Sequence, residues 1–134
     1  MADVAAADCF LLLWMPLTSI FRVTTLMTAW GFTYSGPAFV WVKRNKNGTW
    51  FKGTGYGTRA NAEICWLGRR VKPQRRSKSV GQIIETVRRQ HSRKPDEIYS
   101  LVETFCDGAY LELFARQQWP GWVCVGDEVG KFAP

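Results

Sequence analysis

Six consecutive apolar residues at positions 9–14, Cys-Phe-Leu-Leu-Leu-Trp, limit the possible folds of this chain more than any other feature. A strand that meets water on one face alternates apolar and polar residues, whereas an unbroken apolar run predicts a strand covered on both faces, as in a parallel sheet. We expect Thr18 or Ser19 to cap a following helix and Gly31 to end it. Apolar side chains recur there at helical spacing, at Leu17, Ile20, Phe21, Val23, Met27 and Trp30.

The middle of the chain predicts more strands. Residues 39–43 and 61–67 are rich in β-branched and aromatic side chains, which favours a strand at each. Between them, Asn47-Gly48 is typical of a tight hairpin turn and leads into a short strand at 49–51. Residues 53–57, Gly-Thr-Gly-Tyr-Gly, have neither the spacing of a dinucleotide loop nor a following Lys-Ser/Thr, so we interpret them as a flexible turn.

The C-terminal half predicts a loop, a helix and two further strands. Residues 68–81 are polar and basic, which favours a surface loop, and 82–89 fits either a strand or a helix. A helix is predicted from Pro95 to about Cys106, and strands at 110–114 and 122–125. The helix has an apolar face formed by Ile98, Leu101, Val102 and Phe105. Strands that alternate with helices predict an α/β layered fold, here a single domain over 1–134.

Basic residues are concentrated in one part of the sequence. The net charge is +7, but residues 43–94 carry fifteen basic and only two acidic side chains. Such segregation indicates a basic face that contacts a polyanion, and nucleic acid is the partner that it favours. A solvated surface with counterions is the alternative.

Other features exclude several classes of protein. The longest nearly uncharged apolar run, 9–20, is shorter than the roughly 20 residues of a membrane-spanning helix. Asp3 and Asp8 stand where a secretory leader carries basic residues, so we expect a soluble, cytoplasmic domain. No two of the four cysteines have the spacing of metal ligands, and His91 is the single histidine, so no metal site is predicted. Apolar surroundings predict buried, reduced thiols at Cys9, Cys65 and Cys124.

A set of spaced motifs resembles a known family. Residues 91–99 read His-Ser-Arg-Lys-Pro-Asp-Glu-Ile-Tyr, followed by Leu-Glu-Leu-Phe-Ala-Arg at 111–116 and Gly-Asp-Glu at 126–128. Shorter matches are at 13–14, 30–32, 40–43, 55–59, 61–63, 68–70 and 121–122. Over residues 8–129 the chain resembles the adenine-N6 methyltransferases related to the eukaryotic mRNA methyltransferase and to bacterial and phage DNA-modifying enzymes. The matches are closer to the short prokaryotic members.

The resemblance implies a Rossmann-like sheet with helices on its faces, circularly permuted motifs and S-adenosylmethionine as the methyl donor. It implies that Glu112 accepts hydrogen bonds from the ribose and that Phe114 forms an apolar wall. It makes Arg116 and Lys94 donors to the ribose or to the methionine carboxylate, and Gly126 a point of close backbone approach. Relatives often have Asn where this chain has Asp127, so the amide donor is lost. The implied cofactor-binding set is Lys94, Glu112, Phe114, Arg116, Gly126, Asp127 and Glu128.

The resemblance also implies a nucleic-acid surface near the target-binding loops of the family, with DNA favoured over RNA as partner. Phosphate contacts by basic side chains position such a substrate without reading its sequence. The target adenine would have to be single-stranded or flipped out of a duplex. The implied residues are Lys43, Arg44, Arg59, Asn61, Arg69, Arg70, Arg75 and Arg76.

One motif of the family does not occur in this sequence. The catalytic Asp-Pro-Pro-Trp supplies acceptors for the adenine amine, but no two of the six prolines here are adjacent. In relatives this motif precedes the strand that corresponds to residues 9–14, so we expect a partial domain that is incomplete at its N-terminus, with no catalytic residue, and inactive alone. Three accounts remain open. The chain is a shortened gene product or has a mispredicted start, it is one part of a split enzyme completed in a homo- or hetero-oligomer, or it is a non-catalytic nucleic-acid-binding module or partner subunit.

Overall fold

A computed structural model of the protein describes residues 4–90 and 93–132. The first strand, β1, spans Cys9–Met15 and leads through a 3-10 helix, Leu17–Arg22, into helix α1, Val23–Ala29. Three more strands follow, and then helix α2, Glu97–Phe105, and two short strands. The bounds of the later strands are β2 Thr33–Arg44, β3 Ala62–Arg70, β4 Ile83–Val87, β5 Tyr110–Leu113 and β6 Trp122–Val125.

The strands form two separate sheets. The larger has the order β1-β3-β2-β4, in which β3 is antiparallel to both neighbours and β4 is parallel to β2. The smaller consists of β5 and β6, which are parallel. Strands and helices therefore make a mixed α/β fold, as the sequence predicts, and its larger sheet is mixed in strand direction.

Helices cover both faces of the larger sheet. On one face α1 packs Val23 and Met27 against Phe32 and Trp66. On the other face Val102 of α2 and Cys106, which follows the helix, pack against a core formed by Phe39, Trp41, Cys65 and Ile84. No helix in the described residues is long and apolar enough to cross a membrane.

Strand β1 confirms part of the expectation from its apolar run and corrects the rest. Its side chains alternate between the two cores, with Phe10 and Leu12 toward α2 and Leu11 and Leu13 toward α1, so both faces are covered. The parallel pairing is wrong, because β1 runs antiparallel to β3. It is also the edge strand of the described sheet, and all of its residues are half-buried.

The helix predicted after β1 is divided in two. A 3-10 segment comes first, and its N-cap is Pro16, with no side-chain hydrogen bond from Thr18 or Ser19. Ile20 and Phe21 are exposed because this segment does not lie on the sheet. The predicted end at Gly31 is confirmed, since this residue has φ of +84°, which glycine adopts without strain.

Several other boundaries differ from those predicted. Residues 68–70 belong to β3, where burial of Gly68 against Met27 overrides the polar composition of the segment. The ambiguous residues 82–89 contain β4, and 49–51 contribute a single bridge, Arg44–Trp50, instead of a strand. Helix α2 begins at Glu97, two residues after Pro95. Among the thiols, Cys65 and Cys106 are buried, whereas Cys9 and Cys124 are half-buried because they lie at the margin of the core.

Stacked aromatic rings attach the small sheet to α2. Tyr99 of α2 stacks on Trp119, with ring centroids 4.3 Å apart, and meets Trp122 edge-on at 5.1 Å. Trp122 in turn stacks on Tyr110 at 4.9 Å and donates a hydrogen bond from Nε1 to Glu103. This stack holds β5 and β6 on one side of α2, while the larger sheet lies against the other core side chains of the helix.

Candidate functional site

A cavity of about 800 Å³ lies between the two sheets. Two runs of six consecutive residues line it: residues 9–14, mostly in β1, and residues 109–114, mostly in β5. Alternate side chains of a strand point to opposite faces, so a run of consecutive lining residues indicates that each strand presents its edge to the cavity. Helix α2 closes one side with Ile98, Tyr99 and Val102.

Four of the residues implied in cofactor binding line this cavity: Lys94, Glu112, Phe114 and Arg116. Phe114 follows β5 in a left-handed conformation, with φ of +59°, and 88% of its surface is exposed. A positive φ is unfavourable for a residue with a large side chain, and such strain is common at binding sites. The exposed ring therefore forms a ready-made apolar wall.

Glu112 is the acceptor in this part of the cavity. Its half-buried carboxylate accepts a hydrogen bond from Tyr99 Oη at 2.8 Å. Burial raises the pKa of Glu112 above its ordinary value, and the hydrogen bond from Tyr99 offsets only part of that effect. Burial and the same contact raise the pKa of Tyr99, so its hydroxyl stays protonated as a donor. A ligand with hydroxyl groups would give the carboxylate the donors that it loses on burial.

Lys94 is held in place by Glu63 of β3. The carboxylate of Glu63 receives Lys94 Nζ on one oxygen and Lys43 Nζ on the other, both at 2.6 Å. Burial by itself would raise the pKa of Glu63, but hydrogen bonds and charges from the two lysines outweigh it and lower the pKa. The bridged group Lys43–Glu63–Lys94, called the lysine clamp below, connects the cavity with the outer end of β2.

Residues 126–128 do not line the cavity. A Cβ added to Gly126 would lie 2.6 Å from the carbonyl oxygen and 2.7 Å from the nitrogen of Ala115, so the close approach is to the protein's own backbone. Asp127 is exposed. Glu128 forms an ion pair with Arg116, with 3.2 Å between Oε2 and Nε. Glu128 therefore contacts a cavity residue, Arg116, without lining the cavity itself.

The structure divides the residues implied in nucleic-acid binding between two ends of the larger sheet. Lys43, Arg44 and Asn61 lie at the end where β2 finishes and β3 begins. Arg69 and Arg70 lie at the other end of β3, about 27 Å away for eight strand steps. Arg75 and Arg76 follow them, and the backbone of Arg76 is hydrogen bonded to the end of α2. Arg59 is exposed in the loop before β3.

Comparison with known proteins decides the family. The family model described as MT-A70 matches residues 1–128, almost the whole chain. The chain belongs to the MT-A70 family.

Curated relatives of this MT-A70 chain are considerably longer. The Type II methyltransferase M.MunI of Mycoplasma sp is 30% identical over 130 residues, which cover 95% of this chain and 53% of M.MunI. The human N(6)-adenosine-methyltransferase catalytic subunit METTL3 is 28% identical over 128 residues, 91% of this chain and 22% of METTL3. An Arabidopsis thaliana N(6)-adenosine-methyltransferase MT-A70-like protein is also 28% identical and is covered to 18%. The chain thus spans about half of one relative and about a fifth of the others.

Several cavity residues of this MT-A70 chain were not predicted from the sequence. Phe132 is buried, and the guanidinium groups of Arg93 and Arg116 lie 4.1 and 4.6 Å from its ring centroid. Gln117 is 4% exposed, donates to Asp96 and accepts from Arg93. Gln117 could have been suspected as a site residue because it directly follows the matched Arg116, but nothing in the sequence pointed to Phe132. His91 and Ser92 of the matched segment lie outside the described residues.

The described residues of this MT-A70 chain contain no group of three or more His, Cys, Asp and Glu side chains arranged for a metal ion. All four cysteines are free thiols.

Proposed function

We propose that this chain is the cofactor-binding part of an S-adenosylmethionine-dependent adenine-N6 methyltransferase that acts on nucleic acid. One observation carries the proposal: Lys94, Glu112, Phe114 and Arg116, distant in sequence from the apolar run of β1, line the same cavity. Membership of the MT-A70 family gives the reaction class, since relatives carry the name N(6)-adenosine-methyltransferase.

The cavity fits S-adenosylmethionine in size and in chemistry. The whole cavity, about 800 Å³, includes the gap between the β1 and β5 edges and is within the range of pockets that bind a small molecule. Glu112 would accept the ribose hydroxyls, Lys94 and Arg116 would donate to the carboxylate, and Phe114 would contact the adenine. The cofactor supplies an electrophilic methyl group on its sulfonium when bound. Asp127 is too far out to replace these contacts, because it does not line the cavity.

Glu112→Gln is expected to lower the affinity for S-adenosylhomocysteine about tenfold to a hundredfold, because a charged acceptor for ribose hydroxyls is lost. The raised pKa means that the ionised carboxylate is disfavoured in the fold, so stability falls as pH rises through this pKa. The neutral glutamine should therefore leave the free energy of unfolding unchanged or higher near pH 7. Calorimetric titration and urea unfolding of the same samples measure both quantities.

Glu97→Gln is the matched control for that experiment, because Glu97 is an exposed carboxylate of α2 that does not line the cavity. It should bind the cofactor product as the unchanged protein does. No binding by a folded, unchanged protein would contradict the proposal. Equal affinity of Glu112→Gln and the unchanged protein would refute the role of Glu112.

The chain by itself is proposed to be inactive, because the Asp-Pro-Pro-Trp sequence does not occur in it. Both β1 and β5 expose a strand edge to the cavity, and an unpaired edge exposes hydrogen-bonding groups that another chain segment can satisfy. A strand from outside these 134 residues, in a longer chain or in a partner subunit, would pair with these edges, join the two sheets and occupy the part of the cavity between β1 and β5. The cofactor would then bind in the remaining part, beside the charged residues and Phe114. The catalytic acceptors would arrive with that strand.

The open edges predict that the isolated chain self-associates. Light scattering should give a mass that rises from one chain toward dimers or larger species as concentration increases, since edge-to-edge pairing is a bimolecular reaction. The temperature of unfolding should rise with concentration in the same range. A monomer at every concentration, with a cooperative transition at high temperature, would contradict this prediction.

A non-catalytic nucleic-acid-binding subunit is the second candidate function. The basic ends of the larger sheet support it, because Arg59, Arg69 and Arg75 are exposed. DNA is proposed over RNA, and a cytoplasmic location agrees with four free thiols. The cofactor titration separates the candidates, because a module that only binds nucleic acid has no need for a cofactor site.

A further inference from the structure

The carboxyl ends of β2 and β4 form a basic groove that adjoins the cofactor cavity, since Arg93 lines both. These strands are parallel, so Arg44 and Val87 lie side by side where the strands end. A groove of about 850 Å³ opens beyond them. Four basic side chains and one acidic side chain line it: Lys46, Arg88, Arg89, Arg93 and Glu97. Arg89 forms an ion pair with Asp96, and the remaining excess of positive charge at these strand ends is suited to an anionic ligand.

An exposed indole lies next to residues that line or adjoin this groove. Trp50 is 50% exposed, and the guanidinium carbon of Arg44 lies 3.4 Å from the centroid of its ring. Asn45, which lines the groove, donates a hydrogen bond to the backbone oxygen of Trp50 at 3.2 Å. The Trp50 ring is therefore kept open to solvent at a defined position beside the basic side chains.

Hydrogen bonds and ring contacts hold the residues around Trp50 in place. Arg44 donates from Nε to Glu85 at 2.6 Å, which offsets its charge and fixes the guanidinium beneath the indole. Arg88 stacks on Phe51 at 4.3 Å, and its backbone nitrogen donates to the carbonyl of Arg44. The turn between β2 and Trp50 is closed by hydrogen bonds from Thr49 to the Asn47 side chain. A preorganised platform costs little entropy when a ligand stacks on it.

We propose that this groove binds a single-stranded segment of nucleic acid, with Lys46 and Arg88 on its phosphates and a base stacked on Trp50. Every nucleobase has a face that stacks on an aromatic ring, but bases inside a duplex are already stacked on one another. A basic channel with an exposed aromatic platform is therefore selective for unpaired strands. The inference rests on the nucleic-acid part of the proposed function and adds where, and in which form, the polymer binds.

Fluorescence anisotropy tests the groove with a labelled DNA strand of about 16 nucleotides and the duplex of the same sequence. The unchanged chain should bind the single strand more tightly than the duplex. Trp50→Ala should weaken single-strand binding by at least about fivefold and leave duplex binding nearly unchanged. Lys46→Ala should weaken binding of both and reduce the slope of log affinity against log salt by about one.

Two variants elsewhere serve as matched controls. Phe21→Ala removes an aromatic ring that is 72% exposed and has Arg22 beside it, but lies at the 3-10 helix. Lys78→Ala removes an exposed lysine from the loop before β4. Neither should change single-strand affinity. All variants alter exposed side chains, so circular dichroism should show an unchanged fold.

Three outcomes would overturn the inference, and they differ in what else they affect. Equal binding of single strand and duplex, with no effect of Trp50→Ala, would contradict single-strand binding in the groove but would still show that the chain binds nucleic acid. If Phe21→Ala lowers single-strand affinity as much as Trp50→Ala does, the stacking is nonspecific and the groove is not the binding site. If the folded chain binds no nucleic acid at low salt, both the groove and the nucleic-acid part of the proposed function are contradicted. The cofactor titration then still tests the cofactor-binding part separately.

Discussion

Glu63→Gln is expected to lower the free energy of unfolding by about 2–3 kcal/mol near pH 7, because it leaves two lysines of the lysine clamp without their shared carboxylate. The side chains of Lys43, Glu63 and Lys94 are only 20–28% exposed, so water replaces the lost contacts poorly. Urea denaturation measures this change. The same variant should also weaken cofactor binding, since Lys94 loses the contact that orients it.

Glu85→Gln is the control that shows how much of the effect of Glu63→Gln comes from the burial of its ion pairs. Glu85 also pairs with a basic residue of β2, Arg44, but its side chain is 49% exposed. The loss should stay below about 1 kcal/mol, as for other exposed ion pairs. Equal losses in the two variants would show that the clamp stabilises the protein no more than a surface pair does.

The stabilisation by Glu63 has a definite dependence on pH. Its pKa in the folded protein lies below the ordinary value of 4.5. A lowered carboxyl pKa stabilises the fold fully above the unfolded value, and this contribution disappears as pH falls through the folded value. The difference between the unchanged protein and Glu63→Gln should therefore be constant above about pH 6 and shrink in acid. A difference that grows in acid would contradict this assignment.

Gly126→Ala is expected to destabilise the protein by about 2–3 kcal/mol, because the new methyl group would overlap backbone atoms. Its carbon would lie 2.6 and 2.7 Å from the backbone of Ala115, whose nitrogen donates to Val125 at 2.9 Å. That hydrogen bond extends the ladder between β5 and β6. Relief of the clash must move the two strands apart and shift Phe114 and Arg116 at the cavity, and thermal unfolding of the variant measures the cost.

Gly81→Ala is the matched control for this substitution. Nothing lies within 4 Å of a Cβ at Gly81, and its φ is not in the left-handed region. Loss of backbone freedom in the unfolded chain should make this variant neutral or more stable by up to about 1 kcal/mol. If both alanine variants melt alike, the contact between residues 115 and 126 is not the close one described.

Local sequence patterns predicted most elements of the fold because their causes are local. The apolar run at 9–14, the Asn47-Gly48 turn and the apolar face of α2 depend on neighbours within a few residues. The direction of β1 depends on β3, far along the chain, so the pattern gave its covered faces but not its antiparallel partner. The division between two sheets is likewise a matter of long-range pairing.

The candidate site was predictable only where a motif carries it. Lys94, Glu112, Phe114 and Arg116 followed from the matched segments and line one cavity. Glu63 was one of two acids among fifteen basic residues, and its role required knowing that β3 places it between Lys43 and Lys94. The basic residues, grouped in sequence, separate to opposite ends of a sheet because the antiparallel β3 carries Arg69 and Arg70 away from Lys43.

The pairing of β1 with β3 also affects how the chain folds. Cys9 pairs with Arg70 and Met15 with Ile64, so every contact in this ladder joins residues about fifty to sixty positions apart. Contacts this remote in sequence form slowly, because a long loop must close before any of them is gained. During synthesis the apolar residues 9–14 leave the ribosome well before their partner strand does. Until β3 arrives, they are a hydrophobic segment for a chaperone to bind or for a neighbouring nascent chain to capture.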